Sequence, residues 1–316
     1  MSGLSLNHPQ AGHLDLHFSL IEFFNPAQLQ NSACTYVVRV AHTDLQFDQP
    51  MPVVDARRQG IVRLPHRHEP MQCAGAPDIV GSGWLGQALR GFRCWLDASG
   101  QCVRFDDGPG FRVSLSGDRV DAFDLPADTV LRDELLLGPA LMLALSARGI
   151  FGLHASAILG AAGAVLLLGP SGSGKSTLAR HAQSEGGLRL TDDVTPVLLA
   201  DSGARVLPRF PQLKLTPALM VDDLNVPLAA LVWVGISERE LALTQMSQTE
   251  ASRSLVRDSV AARLFAPAVL ARHLDFCAAL VLRAPAWRLC VPRVAAGQQA
   301  SAVASAYQLL RALGLP

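Results

Sequence analysis

Gly169-Pro170-Ser171-Gly172-Ser173-Gly174-Lys175-Ser176-Thr177 decides the fold, because it fits G-x-x-x-x-G-K-S/T within the surroundings that pattern requires. Ala164 to Leu168 before it is apolar and suits a buried strand, and Thr177 to Glu185 after it reads as a helix stopped by Gly186 and Gly187. Strand, loop and helix in that order bring backbone N–H groups and the positive end of a helix onto one phosphate chain. A glycine-rich turn that merely spelled the pattern would lack these flanks.

Each part of the loop has its own task. Gly169, Gly172 and Gly174 take backbone angles that a Cβ would oppose, and Ser171, Ser173 and Thr177 complete the cradle. Lys175 supplies a mobile point charge to the β- and γ-phosphates, and the Ser176 hydroxyl is the expected Mg²⁺ ligand. The cofactors expected are therefore ATP and Mg²⁺.

Leu188 to Leu190 reads as the next strand, and Thr191-Asp192-Asp193 falls at its carboxyl end, the edge where the loop also lies in a βαβ unit. Phosphoryl transfer needs one carboxylate at the metal and another to accept the attacking hydroxyl's proton. A solvated turn is the plainer reading of the pair. Upstream, Gly152-Leu153-His154-Ala155-Ser156-Ala157-Ile158 places a histidine in an apolar run, where a satisfied core histidine is the commoner case.

The block Leu153 to Ala157, the loop Gly169 to Thr177 and the pair Asp192-Asp193 stand in that order. Together they resemble the C-terminal catalytic domain of the HPr kinase/phosphorylase family, and more closely its shorter relatives associated with peptide maturation. The resemblance is good over roughly residues 135 to 220. It implies an α/β, phosphoenolpyruvate-carboxykinase-like P-loop domain with a mixed sheet. It also implies that His154 contacts the transferring phosphate, that Asp192 is the general base and that Asp193 is an accessory carboxylate at the metal. Leu207-Pro208-Arg209-Phe210-Pro211-Gln212-Leu213-Lys214-Leu215 is similar to a Pro-rich segment of the shorter relatives. The bifunctional enzymes also carry Leu-Glu-Ile-Arg-Gly-Leu-Gly after the aspartates. That string does not occur here, so the resemblance extends to the forward, kinase direction alone.

With 316 residues and 49% hydrophobic residues, the chain can bury a large core in two domains. Residues 1–128 read as a small strand-rich domain for acceptor binding or oligomer building, and 129–316 as the catalytic domain. Strands are expected at Tyr36 to Val40, Leu45 to Phe47, Gly60 to Leu64, Cys102 to Phe105 and Phe111 to Leu115, with Asp121 to Thr129 as linker and a helix over Leu135 to Ala147. Beyond the loop, strands are expected at Ala230 to Gly235 and Trp287 to Val291, and helices at Glu250 to Leu264, Ala266 to Leu282 and Gln298 to Leu313. Arg253, Arg257 and Arg263 read as solvated helix face.

Lysine plus arginine and aspartate plus glutamate both number 27, so no net field gathers nucleic acid or an anionic membrane. Gly149 to Gly174 lacks charged residues, but its glycines and His154 split it into Leu153 to Leu159 and Ala164 to Leu168, a buried hairpin and not a span. Met1 to Gln10 lacks a secretory pattern, which places the protein in the cytoplasm. The six cysteines show no metal spacing, and His66-x-His68-Glu69 reads as a polar turn.

The sequence thus predicts an ATP-dependent kinase acting on a hydroxyl, a serine on a peptide or small protein. The alternative is a nucleotide-dependent regulatory module that hydrolyses ATP slowly.

Overall fold

The computed structural model describes residues 73, 75–86, 88–208, 226–238, 240–295 and 297–315, together with the backbone of short strands within 6–62. The turn expected at His66 to Glu69 and the segment Arg209 to Leu215 lie outside the described residues. The chain divides into two compact units, residues 1–148 with 261–270, and residues 149–260 with 271–316.

The first unit is rich in strands. β1 (Leu6–Asn7), β2 (Asp15–Leu16), β3 (Thr35–Val40), β4 (Thr43–Phe47) and β5 (Ile61–Val62) form one sheet in sequence order. β6 (Ile79–Leu85), β7 (Ala88–Asp97), β8 (Gly100–Phe105), β9 (Gly110–Val113) and β10 (Val120–Phe123) form a second, an antiparallel meander. Cys94, Val103 and Phe111 stand opposite one another and share one buried face, and Cys102, on the other face, is buried as well. The hairpin β6–β7 was not expected, because Ile79 to Leu85 is broken by Gly81 and Gly83 and lacks clean alternation. The linker expected from Asp121 is also corrected: Val120–Phe123 pairs with β9, with Ala122 and Phe123 buried.

Asp128 caps α1 (Thr129–Leu135), its Oδ1 accepting from Val130 N at 2.9 Å. A π-helical turn over Leu136–Ala140 follows and joins α1 to α2 (Leu141–Ala147). Pro139 lies inside that turn, where a residue without an N–H is accommodated by widening the helix. The helix expected from Leu135 to Ala147 is present as one unbroken run that starts earlier, at Thr129, and widens at Leu136–Ala140.

The second unit is a mixed α/β fold. β11 (Ile150–Leu153), β12 (Ala155–Gly160), β13 (Gly163–Leu168), α3 (Lys175–Ser184), β14 (Leu188–Thr191), β15 (Thr195–Ala200), β16 (Gly203–Val206) and β17 (Val226–Ser237) lead into β18 (Ala242–Gln245). α4 (Gln248–Arg257), α5 (Pro267–Arg283), β19 (Ala286–Pro292) and α6 (Gln299–Arg311) complete the element list. The strands run in the order β11-β15-β16-β17-β13-β12-β14, with β19 on β17 and β18 on β19. β13 and β19 are parallel to β17, and the remaining pairs are antiparallel. Because β13 and β14 both lie antiparallel to β12, they run parallel to each other and end on the same edge.

Val165 and Leu167 of β13 and Val232 and Val234 of β17 pack with Leu178 and Ala182 of α3 and Tyr307 and Leu310 of α6. Each large apolar side chain buried this way contributes roughly 1.5–3 kcal/mol. Two expected elements are corrected. Leu153 to Leu159 is not one strand, because His154 separates β11, which pairs with β15, from β12, which pairs with β13 and β14. The helix expected over Glu250 to Leu264 ends at Arg257, where a turn brings Ser259 into an isolated bridge with Leu153.

His273 of α5 is fully buried against Phe151 and Phe276. Ser259 Oγ donates to Leu255 O at 2.7 Å and therefore accepts from His273 Nε2, also at 2.7 Å. Burial pushes the imidazole down to about 4 from 6.5. A depressed folded-state pKa means the unfolded chain takes up the proton first. Its stabilisation is full above pH 6.5 and is lost as pH falls toward 4. We expect urea unfolding between pH 7 and 4.5 to show a loss approaching ~3 kcal/mol, and His273→Gln to flatten that slope. An equal slope in the variant would assign the acid sensitivity elsewhere.

Candidate active site

The loop 169–174 joins the end of β13 to α3, and three of its glycines hold positive φ. Gly169, Gly172 and Gly174 have φ of 127°, 80° and 100°. At Gly169 a Cβ would lie 2.5 Å from Val234 O, so side chains are excluded by space as well as by angle. α3 begins at Gly174 with no side-chain cap and no acidic residue in its first turn, which leaves its N–H groups and positive dipole end for a ligand. Ser173, 6% exposed, carries a buried hydroxyl with no hydrogen-bond partner among the described residues. A phosphate oxygen would satisfy that hydroxyl, so the loop fits a nucleotide's phosphate chain. Lys175 is equally buried, its Nζ donating to Gly169 O at 2.7 Å and Pro170 O at 3.0 Å.

Asp192 lies against the first turn of α3. Its Oδ1 accepts from Ser176 Oγ at 2.8 Å and from Ser156 Oγ at 2.5 Å, and its Oδ2 accepts from Arg189 Nη1 at 3.2 Å. The carboxylate is 5% exposed, so these donors replace water. Ser176 and Asp192, one hydroxyl and one carboxylate in contact, are the oxygen donors suited to Mg²⁺. Ser171 and Thr177 border the same loop, where Arg180 reaches the Thr177 hydroxyl at 3.5 Å.

Asp193 sits in the turn that carries the chain from β14 to β15. Thr191 and Thr195 clamp that turn, their hydroxyls 2.5 Å apart and Thr195 Oγ1 donating to Ala155 O at 3.0 Å. Between them Asp193 adopts φ 93°, a left-handed angle that costs a non-glycine residue about 1 kcal/mol or more. His154 lies opposite, at the crossing from β11 to β12. Its Nδ1 is 3.0 Å from Asp193 O and 3.4 Å from Asp193 Oδ1. A carbonyl can only accept, so Nδ1 carries a proton. The backbone of His154 is fixed from behind, its N–H donating to Asp258 O at 2.7 Å. Asp258 is buried and accepts from Trp233 Nε1 at 2.8 Å and Arg257 Nε at 3.1 Å.

The structure thus brings the sequence-nominated His154, Lys175, Ser176, Asp192 and Asp193 to one sheet edge at the root of the loop. Sequence reasoning missed Ser156 and Arg189 as partners of Asp192, and Asp258 as the anchor behind His154. Ser156 had a signal, since it stands in the same Leu153 to Ala157 block as His154. Arg189 had none, for a reason taken up below.

No protein-family model matches the chain, and no curated protein does. Among solved structures, the Hpr(Ser) kinase/phosphatase from Coxiella burnetii matches with TM-score 0.29 and 12% identity, over 51% of this chain and 88% of that one. At that score the likeness is no argument for activity or for any residue's role. Among the described residues, no helix is long and apolar enough to cross a membrane.

The Gly169 contact yields a stability test. Gly169→Ala must push against the Val234 carbonyl at an unfavourable φ and is expected to cost ~2 kcal/mol or more in urea unfolding. Gly235→Ala, with ordinary φ and open space around the new methyl, should change stability by less than ~0.5 kcal/mol. Equal costs would mean that the loop is not set by that close approach.

Proposed function

We propose that this chain is an ATP-dependent, HPr-kinase-like phosphotransferase that moves the γ-phosphate of Mg²⁺-bound ATP to a hydroxyl, a serine on a peptide or small protein. The observation that carries the reading is the 2.8 Å hydrogen bond from Ser176 to Asp192. It joins the loop's hydroxyl to a buried carboxylate at the end of the neighbouring strand, the pairing a nucleotide-bound cation needs. The choice of a serine acceptor rests on the resemblance of the Leu153 to Ala157 block, the loop and the aspartate pair to the HPr kinase family and its shorter relatives.

In this reading Lys175 leaves the carbonyls of Gly169 and Pro170 and turns its ammonium to the β- and γ-phosphates. Ser173 and the N–H groups at the start of α3 hold the phosphate chain. Ser176 and Asp192 hold Mg²⁺, which would neutralise charge on the transferring group. Asp192 thereby takes the metal side, because its Oδ1 meets the Ser176 hydroxyl, whereas the family resemblance implies Asp193 for that place and Asp192 as base. Asp193, more exposed at 27%, then faces the acceptor and receives its proton, with His154, 36% exposed, held beside it by the bond from Nδ1 to Asp193 O. The first unit, which holds no part of this machinery, is assigned to acceptor binding or to contact with a second copy.

The test separates binding from transfer. Wild-type protein is titrated with ATP by calorimetry with and without Mg²⁺, then incubated with labelled ATP and serine-containing peptides. Lys175→Ala should reduce transfer at least ~10²-fold. Asp193→Asn tolerates the left-handed angle and should keep MgATP affinity within ~3-fold while losing transfer ~10²-fold or more. Asp192→Asn should instead lose the affinity gained from Mg²⁺. Absence of nucleotide binding in the wild type would end the proposal, and a mirror-image result for the two aspartates would restore Asp192 as base.

A further inference from the structure

β14 carries an irregularity whose consequence lies in the site. Along β12 and β14 the paired residues step from Ala157 with Thr191 to Ile158 with Arg189, so Leu190 is an extra residue opposite one step of the partner strand. In an unbroken strand Arg189 and Asp192, three residues apart, would point to opposite faces. The extra residue breaks that alternation, and the chain then bends at Asp192, just past the end of β14. There they meet, Arg189 Nη1 donating to Asp192 Oδ2 at 3.2 Å, with side chains 11% and 7% exposed. The bulge is why sequence alternation gave no sign of the pair.

The pairing is costly. Arg189 Nε is buried and has no hydrogen-bond partner among the described residues, a desolvation penalty that a surface arginine would not bear. The bond to Asp192 has to offset that penalty. What it does achieve is to occupy Oδ2, so that Oδ1 remains turned to Ser156 and Ser176. We infer that Arg189 is a positioning residue for the cation: it fixes Asp192's carboxylate in the orientation that presents Oδ1 beside the Ser176 hydroxyl. This rests on the functional reading given above and adds to it the group that aims the carboxylate, as outer partners of metal ligands do.

The experiment is calorimetry of the full chain with ADP, in the absence and presence of Mg²⁺, for wild type, Arg189→Lys, Arg189→Gln, Asp192→Asn and the double variant Arg189→Gln/Asp192→Asn. Thermal unfolding selects the variants that remain folded. Arg189→Lys keeps the charge and serves if the neutral variant does not fold. We expect Arg189→Lys and Arg189→Gln to lose ~10-fold or more of the affinity gained from Mg²⁺, with ADP binding in its absence within ~2-fold of wild type. The double variant should lose no more than Asp192→Asn alone, since Arg189 acts through that carboxylate. Equal weakening of Mg²⁺-free and Mg²⁺-dependent binding would reduce Arg189 to a structural ion pair and overturn the inference. So would full retention of the Mg²⁺ increment in either single variant. A wild type that gains nothing from Mg²⁺ would overturn the functional reading itself, a result read before any variant is compared.

Discussion

One buried carboxylate determines much of this site. A carboxylate that is 5% exposed is stable only if donors replace its hydration, and leaving such a charge unpaired costs about 3–5 kcal/mol. Asp192 draws its donors from β12, from α3 and from β14, through Ser156, Ser176 and Arg189. The three elements are thereby tied at one point, and the strand carrying Asp192 must lie beside β12. The sheet order β13-β12-β14 satisfies that requirement, and β13 delivers the glycine-rich loop to the same edge.

A second tie holds the other half of the site. The chain changes strand partners twice at the same level of the sheet, at His154 between β11 and β12 and at Asp193 between β14 and β15. The two crossings are bonded to each other through His154 Nδ1 and Asp193 O. Asp258, buried between Trp233 and Arg257, supports the histidine's backbone from the side opposite the turn. Strain at Asp193 is therefore maintained by its surroundings, namely the Thr191–Thr195 clamp and the histidine, as strained residues in folded proteins require.

What the sequence made legible followed from local rules. The loop's pattern with its flanks, the helix stop at Gly186 and the apolar runs of β13, β17 and β19 need only neighbouring residues to be recognised. The nucleated cluster of His154, Lys175, Ser176, Asp192 and Asp193 was legible because motif order carried it. The unread parts depend on long-range pairing. His154 as a crossing between two strand pairs, the bulge at Leu190 and the turn that ends α4 at Arg257 each arise from partners distant in sequence. Alternation also misled: it gives one strand over Leu153 to Leu159, an error that comes from a break in period that no local residue announces. Asp192 and Asp193 show the same limit, since adjacency in sequence could not say which carboxylate would be enclosed.

The loop's condition bears on how a nucleotide would enter. Its glycines already hold left-handed angles, and the helix start is uncapped, so the backbone has little left to rearrange. What must move is Lys175, whose ammonium rests on the carbonyls of Gly169 and Pro170. Those two bonds are neutral-acceptor bonds, and phosphate oxygens offer charged acceptors that are roughly twice as strong. Such an exchange would favour turning the ammonium toward the phosphates. Ser173, whose hydroxyl has no partner among the described residues, would gain one in the same step. A rigid cradle with one mobile cation pays its ordering cost during folding and not during binding, which is the advantage of building the site on β13 and α3 instead of on a free loop.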